Sequence, residues 1–125
     1  VNDFEIPATE STPLIRTDRT AGRLEMSGDS YPENSFELFQ PVIDWIAGFL
    51  DDVLQPLTLE LKLLYLNTSS VRAMMDIFDA LQDAHERGQA VTVNWRYDRD
   101  NERVADLAAE FKEDYTFPFE IIPGS

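Results

Sequence analysis

The sequence contains no cysteine. That single absence excludes disulfide staples, thiol nucleophiles and thiolate metal sites, and it fits a reducing compartment. Positive charge is also scarce. Ten Lys and Arg face 24 Asp and Glu, for a formal net charge of −14. Nucleic acids and anionic lipid surfaces both need cations to neutralise phosphate, so neither is an expected partner. A basic protein patch suits this charge better, although excess acid also serves plain solubility. No run approaches the roughly 20 apolar residues of a membrane span. "VNDFEIPATE" has neither the basic start nor the apolar centre of a secretion signal, and a cytoplasmic location is expected. There is no glycine-rich phosphate loop, and no cofactor is expected. The one histidine, His85, leaves little room for nucleophile–base chemistry.

Hydrophobic residues make up 43% of 125 positions. A chain of this size buries roughly two-thirds of its unfolded surface. No repeat, low-complexity tract or linker divides it, so residues 1–125 read as a single domain. Phe4 to Ile6 can form a short strand, with Pro7 and Pro13 confining pairing to strand ends or edges. Residues 13–28 read as a hairpin turning between Asp18 and Gly22. Leu14 alternates with Arg16, and Leu24 and Met26 with Arg23 and Glu25. "GDSYPENSFELFQPVIDWIAGFLDDV" opens with turn residues and continues as an amphipathic helix. Asn34 and Glu37 have capping-box spacing. Phe36, Phe39, Ile43, Ile46, Leu50 and Val53 form the expected core stripe, and Pro41 kinks the first turn or marks the start of the regular helix. "QPLTLELKLLYLN" is the clearest strand. Leu57, Leu59, Leu61, Leu63 and Tyr65 share one face, while Leu64 and Leu66 make the other apolar too. That predicts a central strand covered by helices. "SSVRAMMDIFDALQDAHERG" is a helix stopped at Gly88. A strand follows with Val91, Val93, Trp95 and Tyr97 on one face. A short helix with Val104, Leu107, Ala108 and Phe111 inward, then an edge strand "TFPFEIIP", complete the chain. The fold class is therefore α/β: one mixed sheet with about three helices packed on it.

The stretch "LKLLYLNTSSVRAMMDIF" places three hydroxyls, Thr68, Ser69 and Ser70, where the central strand delivers the chain to a helix. Unpaired N–H groups and the helix dipole favour negative charge at such a corner. One of Ser69 and Ser70 suffices as a cap. The plainer reading of this stretch is a capping serine with Thr68 only finishing the strand; a hydroxyl beside the cap is also free to accept a phosphate, whose charge of about −1.5 to −2 is tolerated at a helix N-terminus. Nucleophilic catalysis fits poorly, since His85 lies about 20 Å away along the helix. The other candidates have plainer explanations. Asp98, Asp100 and Glu102 cluster between strand and helix, but Arg99 and Arg103 interleave with them. Helix capping by Asp or Asn, with acid in the first turn, explains them better than a metal. Asp51 and Asp52 close a helix where negative charge is unfavourable, for a partner or for solvent. Met74 and Met75 are core residues or an adaptable contact surface. Tyr31, beside Pro32 and Glu33 in "GDSYPENS", is a packed lid or an exposed contact.

Together "GDSYPENS", "YLNTSS" and "WRYDRDNE" make the chain resemble the SiaC family of bacterial regulatory phosphoproteins over nearly its whole length. The resemblance implies that Thr68 is the regulatory phosphothreonine. It implies a fold related to the anti-sigma-factor antagonists, the STAS-like proteins, although Ser-Ser-Val at 69–71 replaces the Ser-Ser-Gly found in many of those. It further implies a non-enzymatic, partner-switching protein. A dedicated kinase phosphorylates Thr68 and a PP2C-like phosphatase reverses it. The dephosphorylated form binds and activates a diguanylate cyclase, promoting cyclic di-GMP synthesis, aggregation and biofilm. Proximity to the acceptor makes Asn67, Ser69, Ser70 and Arg72 the expected partner-binding residues, with Tyr31 and Glu33 beside them. An anti-sigma antagonist and an acidic-loop metal enzyme using Asp98 and Asp100 are the alternatives.

Overall fold

The computed structural model describes residues 2–52 and 55–124, with side chains for all of these but Asp52. Six strands form one sheet in chain order: β1 (Glu5–Ile6), β2 (Leu14–Asp18), β3 (Arg23–Ser30), β4 (Leu57–Leu66), β5 (Val91–Asp98) and β6 (Phe119–Gly124). The pairs β1–β2 and β2–β3 are antiparallel, and the next three pairs are parallel. Helices α1 (Ser35–Asp52), α2 (Thr68–Glu86) and α3 (Glu102–Glu113) make the three crossovers. The mixed α/β sheet with three helices is the one the sequence predicts.

All three crossovers step in the same direction across the sheet. Right-handed connection then puts every helix on one face. Burial agrees, because Leu57, Leu59, Leu61 and Leu63 are buried whereas Glu60 is half-buried and Lys62 exposed. The strand β4 is central, but helices cover only one of its faces, which corrects the expectation of a strand covered on both. The cause of the misreading is a bulge. Gly28 pairs with Leu63 and Asp29 with Tyr65, so Leu64 is the unmatched residue. An extra residue inverts the alternation beyond it. Leu63 and Leu66 therefore both point into the core, while Leu64 and Tyr65 emerge.

Ion pairs keep the open face wet. Arg16 meets Glu25 at 2.8 Å, Arg96 meets Glu60 at 3.2 Å, and Arg23 also bonds Glu25. The Arg16 hydrogen bond, with help from Arg23, holds the Glu25 carboxyl below its ordinary range. The covered face is apolar and aromatic. Phe78 of α2 packs edge-on to Phe111, Tyr115 and Phe119, and Trp95 of β5 stacks on Phe111. The Tyr115 hydroxyl donates to Asp79 at 2.9 Å, and burial followed by that carboxylate pushes its phenol well above the usual value.

Local expectations fare unevenly. The first hairpin forms, but Ile15 and Thr17 turn inward. Leu14 and Arg16 sit two apart and so share a face. Gly28, Asp29 and Ser30 belong to β3 and not to a turn. One arm of the Asn34–Glu37 box forms: the Glu37 N–H donates to Asn34 Oδ1 at 3.1 Å, while the Glu37 carboxylate accepts from the Asn34 side-chain Nδ2 at 3.4 Å in place of its backbone N–H. Pro41 lies inside α1, within its second turn. Of the expected α1 stripe, Phe39, Ile46 and Leu50 are buried and Ile43 partly so, joined by Val42, Trp45 and Phe49. Phe36 is not core; it is 74% exposed. It occupies the first turn of the helix. Val53 lies outside the described residues. Helix α2 ends as expected, with Gly88 at φ 91° and its N–H donating to the His85 carbonyl at 3.0 Å.

Gly22 has φ 67°, and its carbonyl accepts from the Thr58 N–H at 2.9 Å. A side chain there would collide with the Pro56 carbonyl and come within 2.9 Å of the Gln55 amide. Gly22→Ala is therefore expected to cost at least about 1 kcal/mol. In urea the unfolding midpoint falls at unchanged slope; an unmoved midpoint contradicts this account of the turn.

Candidate functional site

The parallel strands β3 and β4 end side by side, with Ser30 opposite Leu66. Their connections put the N-termini of α1 and α2 at the same edge of the sheet. Asn67 begins the corner in extended geometry, φ −73° and ψ 172°. Its N–H donates to the Ser30 carbonyl at 2.9 Å, continuing the strand ladder by one bond. Its side-chain oxygen accepts the Ser70 N–H at 2.9 Å. The cap is thus Asn67 and not Ser69 or Ser70, and Thr68 is the first helical residue. The short amide reaches the N–H three residues on, which is the usual capping geometry.

The three hydroxyls then divide the work. Ser70 is fully buried and shares a 2.8 Å hydrogen bond with the equally buried Ser30. That contact ties the first turn of α2 to the end of β3. Ser69 lies 2.6 Å from the Ser35 hydroxyl and donates to Asn67 Oδ1 at 3.2 Å, tying α2 to the start of α1. Thr68 is exposed, and its hydroxyl makes no hydrogen bond among the described residues. Three neighbouring side chains thus comprise two ties and one free acceptor.

The other expected residues Arg72, Tyr31 and Glu33 are exposed. Arg72 follows one turn later on the same helix face, exposed and in no ion pair among the described residues. Residues four apart stand about 5–6 Å apart at Cβ. Tyr31 is 41% exposed and meets Tyr65 edge-on at 6.1 Å. Its N–H donates to the Ser11 carbonyl at 2.8 Å, which fixes the loop. Glu33 is exposed two residues on. Ser70, expected at the partner surface, is withdrawn from solvent.

Sequence reasoning missed four contributors. Ser30 and Ser35 carry no local signal, because their partners are 40 and 34 residues away. Tyr65, 56% exposed, and Phe36 were both assigned to the core. For Phe36, its place in the first turn of α1 was the available clue.

The remaining candidates disperse. Met74 is core and Met75 exposed. His85 lies in the last turn of α2, about 25 Å along the helix from Thr68. Asp98 ends β5 and lies 3.8 Å from Lys62. Asn101 precedes α3 without a side-chain cap bond, and Glu102 supplies the acid of the first turn. No group of three or more His, Asp or Glu able to hold a metal occurs among the described residues, and no described helix is long and apolar enough to cross a membrane.

The one-sided sheet thus ends in a strand–helix corner with one exposed, unbonded hydroxyl among the described residues, that of Thr68. The profile described as "SiaC family regulatory phosphoprotein" matches residues 6–124. The chain belongs to that family. It is 61% identical over 121 residues to an uncharacterized protein of Pseudomonas aeruginosa strain UCBPP-PA14, covering 97% of this chain and 96% of that one. The structure of SiaC of Pseudomonas aeruginosa superposes with a TM-score of 0.94 at 58% identity, covering 99% of this chain and 100% of that one. A crystal structure of the diguanylate cyclase SiaD with its activator SiaC, from the same organism, contains a chain matching at TM-score 0.96 and 61% identity over 98% of this chain and 100% of that one.

Removing one hydroxyl of the Ser30–Ser70 pair strands the other. Ser70→Ala or Ser30→Ala is expected to cost about 1–3 kcal/mol, and the double variant less than the sum of the two. Thermal or urea unfolding of the four proteins measures this; full additivity means the pair is not coupled.

Proposed function

We propose that this chain is a phospho-switched, non-enzymatic signalling domain spanning residues 1–125, acting in the cytoplasm, whose dephosphorylated form binds and activates a diguanylate cyclase. Activation raises cyclic di-GMP and with it aggregation and biofilm formation. Thr68 is the acceptor: a partner kinase phosphorylates it and a PP2C-like phosphatase restores it. The observation that carries the reading is the exposed, unbonded hydroxyl of Thr68 on a helix turn held by its neighbours. Relatives near 60% identity include a cyclase activator, which supports the choice of partner. Asn67, Ser69, Arg72, Tyr31 and Glu33 form the contact surface, with Ser70 beneath it.

The physical basis of the switch is local. A phosphate at the first helical residue is favourable to α2 because the exposed N–H groups and the dipole are positive there. The fold therefore survives modification. The surface seen by the partner changes by about two negative charges, and a bulky dianion stands one helical turn from Arg72. Like charge or steric bulk at the centre of a contact costs a complex far more than at its rim.

The sheet-plus-corner arrangement is also the reason to regard the fold as kin to the STAS-like anti-sigma antagonists. Regulation of a sigma factor is the second reading, and Ser-Ser-Val at 69–71 weighs against it. Catalysis with a divalent cation at Asp98 and Asp100 is less favoured, because Lys62 approaches Asp98 and no third ligand converges among the described residues.

Three forms of the chain test the switch: unmodified, phosphorylated at Thr68, and Thr68→Ala. Unmodified chain and Thr68→Ala are expected to bind and stimulate the cyclase alike, and Thr68→Ala to resist shut-off by the kinase. The phosphorylated chain is expected to lose at least tenfold in affinity at an unchanged melting temperature. Equal cyclase binding by all three forms sinks the reading, and co-purification with an anti-sigma kinase in place of a cyclase favours the second one.

A further inference from the structure

The open face of the sheet is unusual for its strand direction. Parallel sheets are normally covered on both faces, yet β3 to β6 run parallel with helices on one face only. A concavity of about 360 Å³ lies on the bare face across β3, β4 and β5, and Arg23, Glu25, Ser27, Glu60, Lys62 and Arg96 supply its polar lining. Its charges are layered. Glu25 and Glu60 stand opposite each other in the ladder, and their side chains are only 23% and 24% exposed. Arg23, Lys62 and Arg96 form the rim, each a little over half exposed.

Like charges directly opposite on a sheet repel, and here each carboxylate is neutralised from outside the pair. Glu25 accepts from Arg16 at 2.8 Å on one oxygen and from Arg23 on the other. Glu60 accepts from the Asn94 amide at 3.0 Å on one oxygen and from Arg96 Nε at 3.2 Å on the other. All four carboxylate oxygens are thus engaged, whereas donors are in surplus. Arg23 binds through Nη2 alone and Arg96 through Nε alone. Lys62 Nζ stands 3.8 Å from Asp98, beyond hydrogen-bond distance. The half-buried Ser27 hydroxyl makes no hydrogen bond among the described residues.

We propose that this concavity binds a small polyanion, a ligand carrying at least two phosphate or carboxylate groups. The unused groups of the rim select that chemistry. Guanidinium and ammonium groups only donate, so the ligand must bring acceptors, and charge-assisted bonds to phosphate or carboxylate oxygens are the strong ones. Glu25 and Glu60 hold the arginines in place from below. The three cations exceed the two carboxylates of the lining, although the chain carries −14 in all. An anion is therefore steered to this face and away from the acidic helices. The volume lies at the lower end of small-ligand sites, which suits a small molecule and not a polymer. The site shares no residue with the Thr68 corner and does not depend on the switch proposed there.

Pyrophosphate and citrate are the probes, titrated into the full chain by calorimetry at low salt while backbone amide shifts are followed by NMR. One saturable site is expected, with shifts centred on Ser27, Glu60 and Arg96. Arg96→Gln is expected to weaken binding at least about tenfold. Lys62→Gln removes a cation that holds no hydrogen bond, so its melting temperature without ligand stays at the wild-type value while affinity falls about threefold. Stronger binding of pyrophosphate or of citrate tells which oxyanion is preferred, and either order supports the site. Failure of both probes to saturate overturns the proposal. So does equal affinity in the wild type and both variants, or a shift pattern centred on the first turn of α2 in place of the open face.

Discussion

The corner depends on a buried hydrogen bond between two serines. Ser30 ends β3 and Ser70 sits in the first turn of α2, 40 residues later, and neither is exposed to water. Each hydroxyl satisfies the other where no solvent can. A half-satisfied pair is expensive, so the first turn of α2 has one position relative to the sheet. Ser69 and Ser35 add a second tie to α1. With the turn fixed at two points, Thr68 can project without a structural duty. The freedom of one hydroxyl is thus a consequence of the confinement of the other two.

The bulge between Gly28 and Asp29 serves the same end. A regular ladder would have kept Tyr65 on the covered face with Leu57 to Leu63. The extra residue in β4 rotates Tyr65 outward to meet Tyr31, and still returns Leu66 to the core. The strand thereby presents an aromatic at the corner without giving up its last apolar anchor. Bulges that re-aim a side chain beside a functional surface are a recurrent device.

Much of this was legible in the sequence because local chemistry dictates it. Alternation in Leu57–Leu63 and Val91–Tyr97, the Asn34–Glu37 box and Gly88 each specify an element through neighbouring residues. The α/β class and element order follow from them. What escaped depends on distant partners. The Ser30–Ser70 bond cannot be read from either serine's neighbours. Nor can the bulge, which turns the doubled apolar pattern of Leu63, Leu64 and Leu66 into a false sign of burial on both faces. Phe36 shows the limit of periodicity. It falls in phase with Ile43, yet it is exposed while Ser35 beside it is buried. Asn67 outcompetes Ser69 and Ser70 as cap because its amide reaches the third N–H and leaves both hydroxyls for tertiary ties. The strand–helix corner was legible, and the reason the Thr68 hydroxyl makes no bond there was not.

The charge of the whole chain explains why a small modification at this corner can matter. Helix α1 contains Asp and Glu but no Lys or Arg, and α2 contains one Arg against four acids. Four of the chain's ten cations, Arg16, Arg23, Lys62 and Arg96, lie on the open sheet face in ion pairs. Arg72 is the one Lys or Arg within the spans of α1 and α2, Arg87 lying at the far end of α2. Against that background a dianion far from any cation would alter little, being screened within about 10 Å at moderate salt. In the proposed switch the phosphate falls one helical turn from Arg72, so its effect depends on that cation as well as on its own charge.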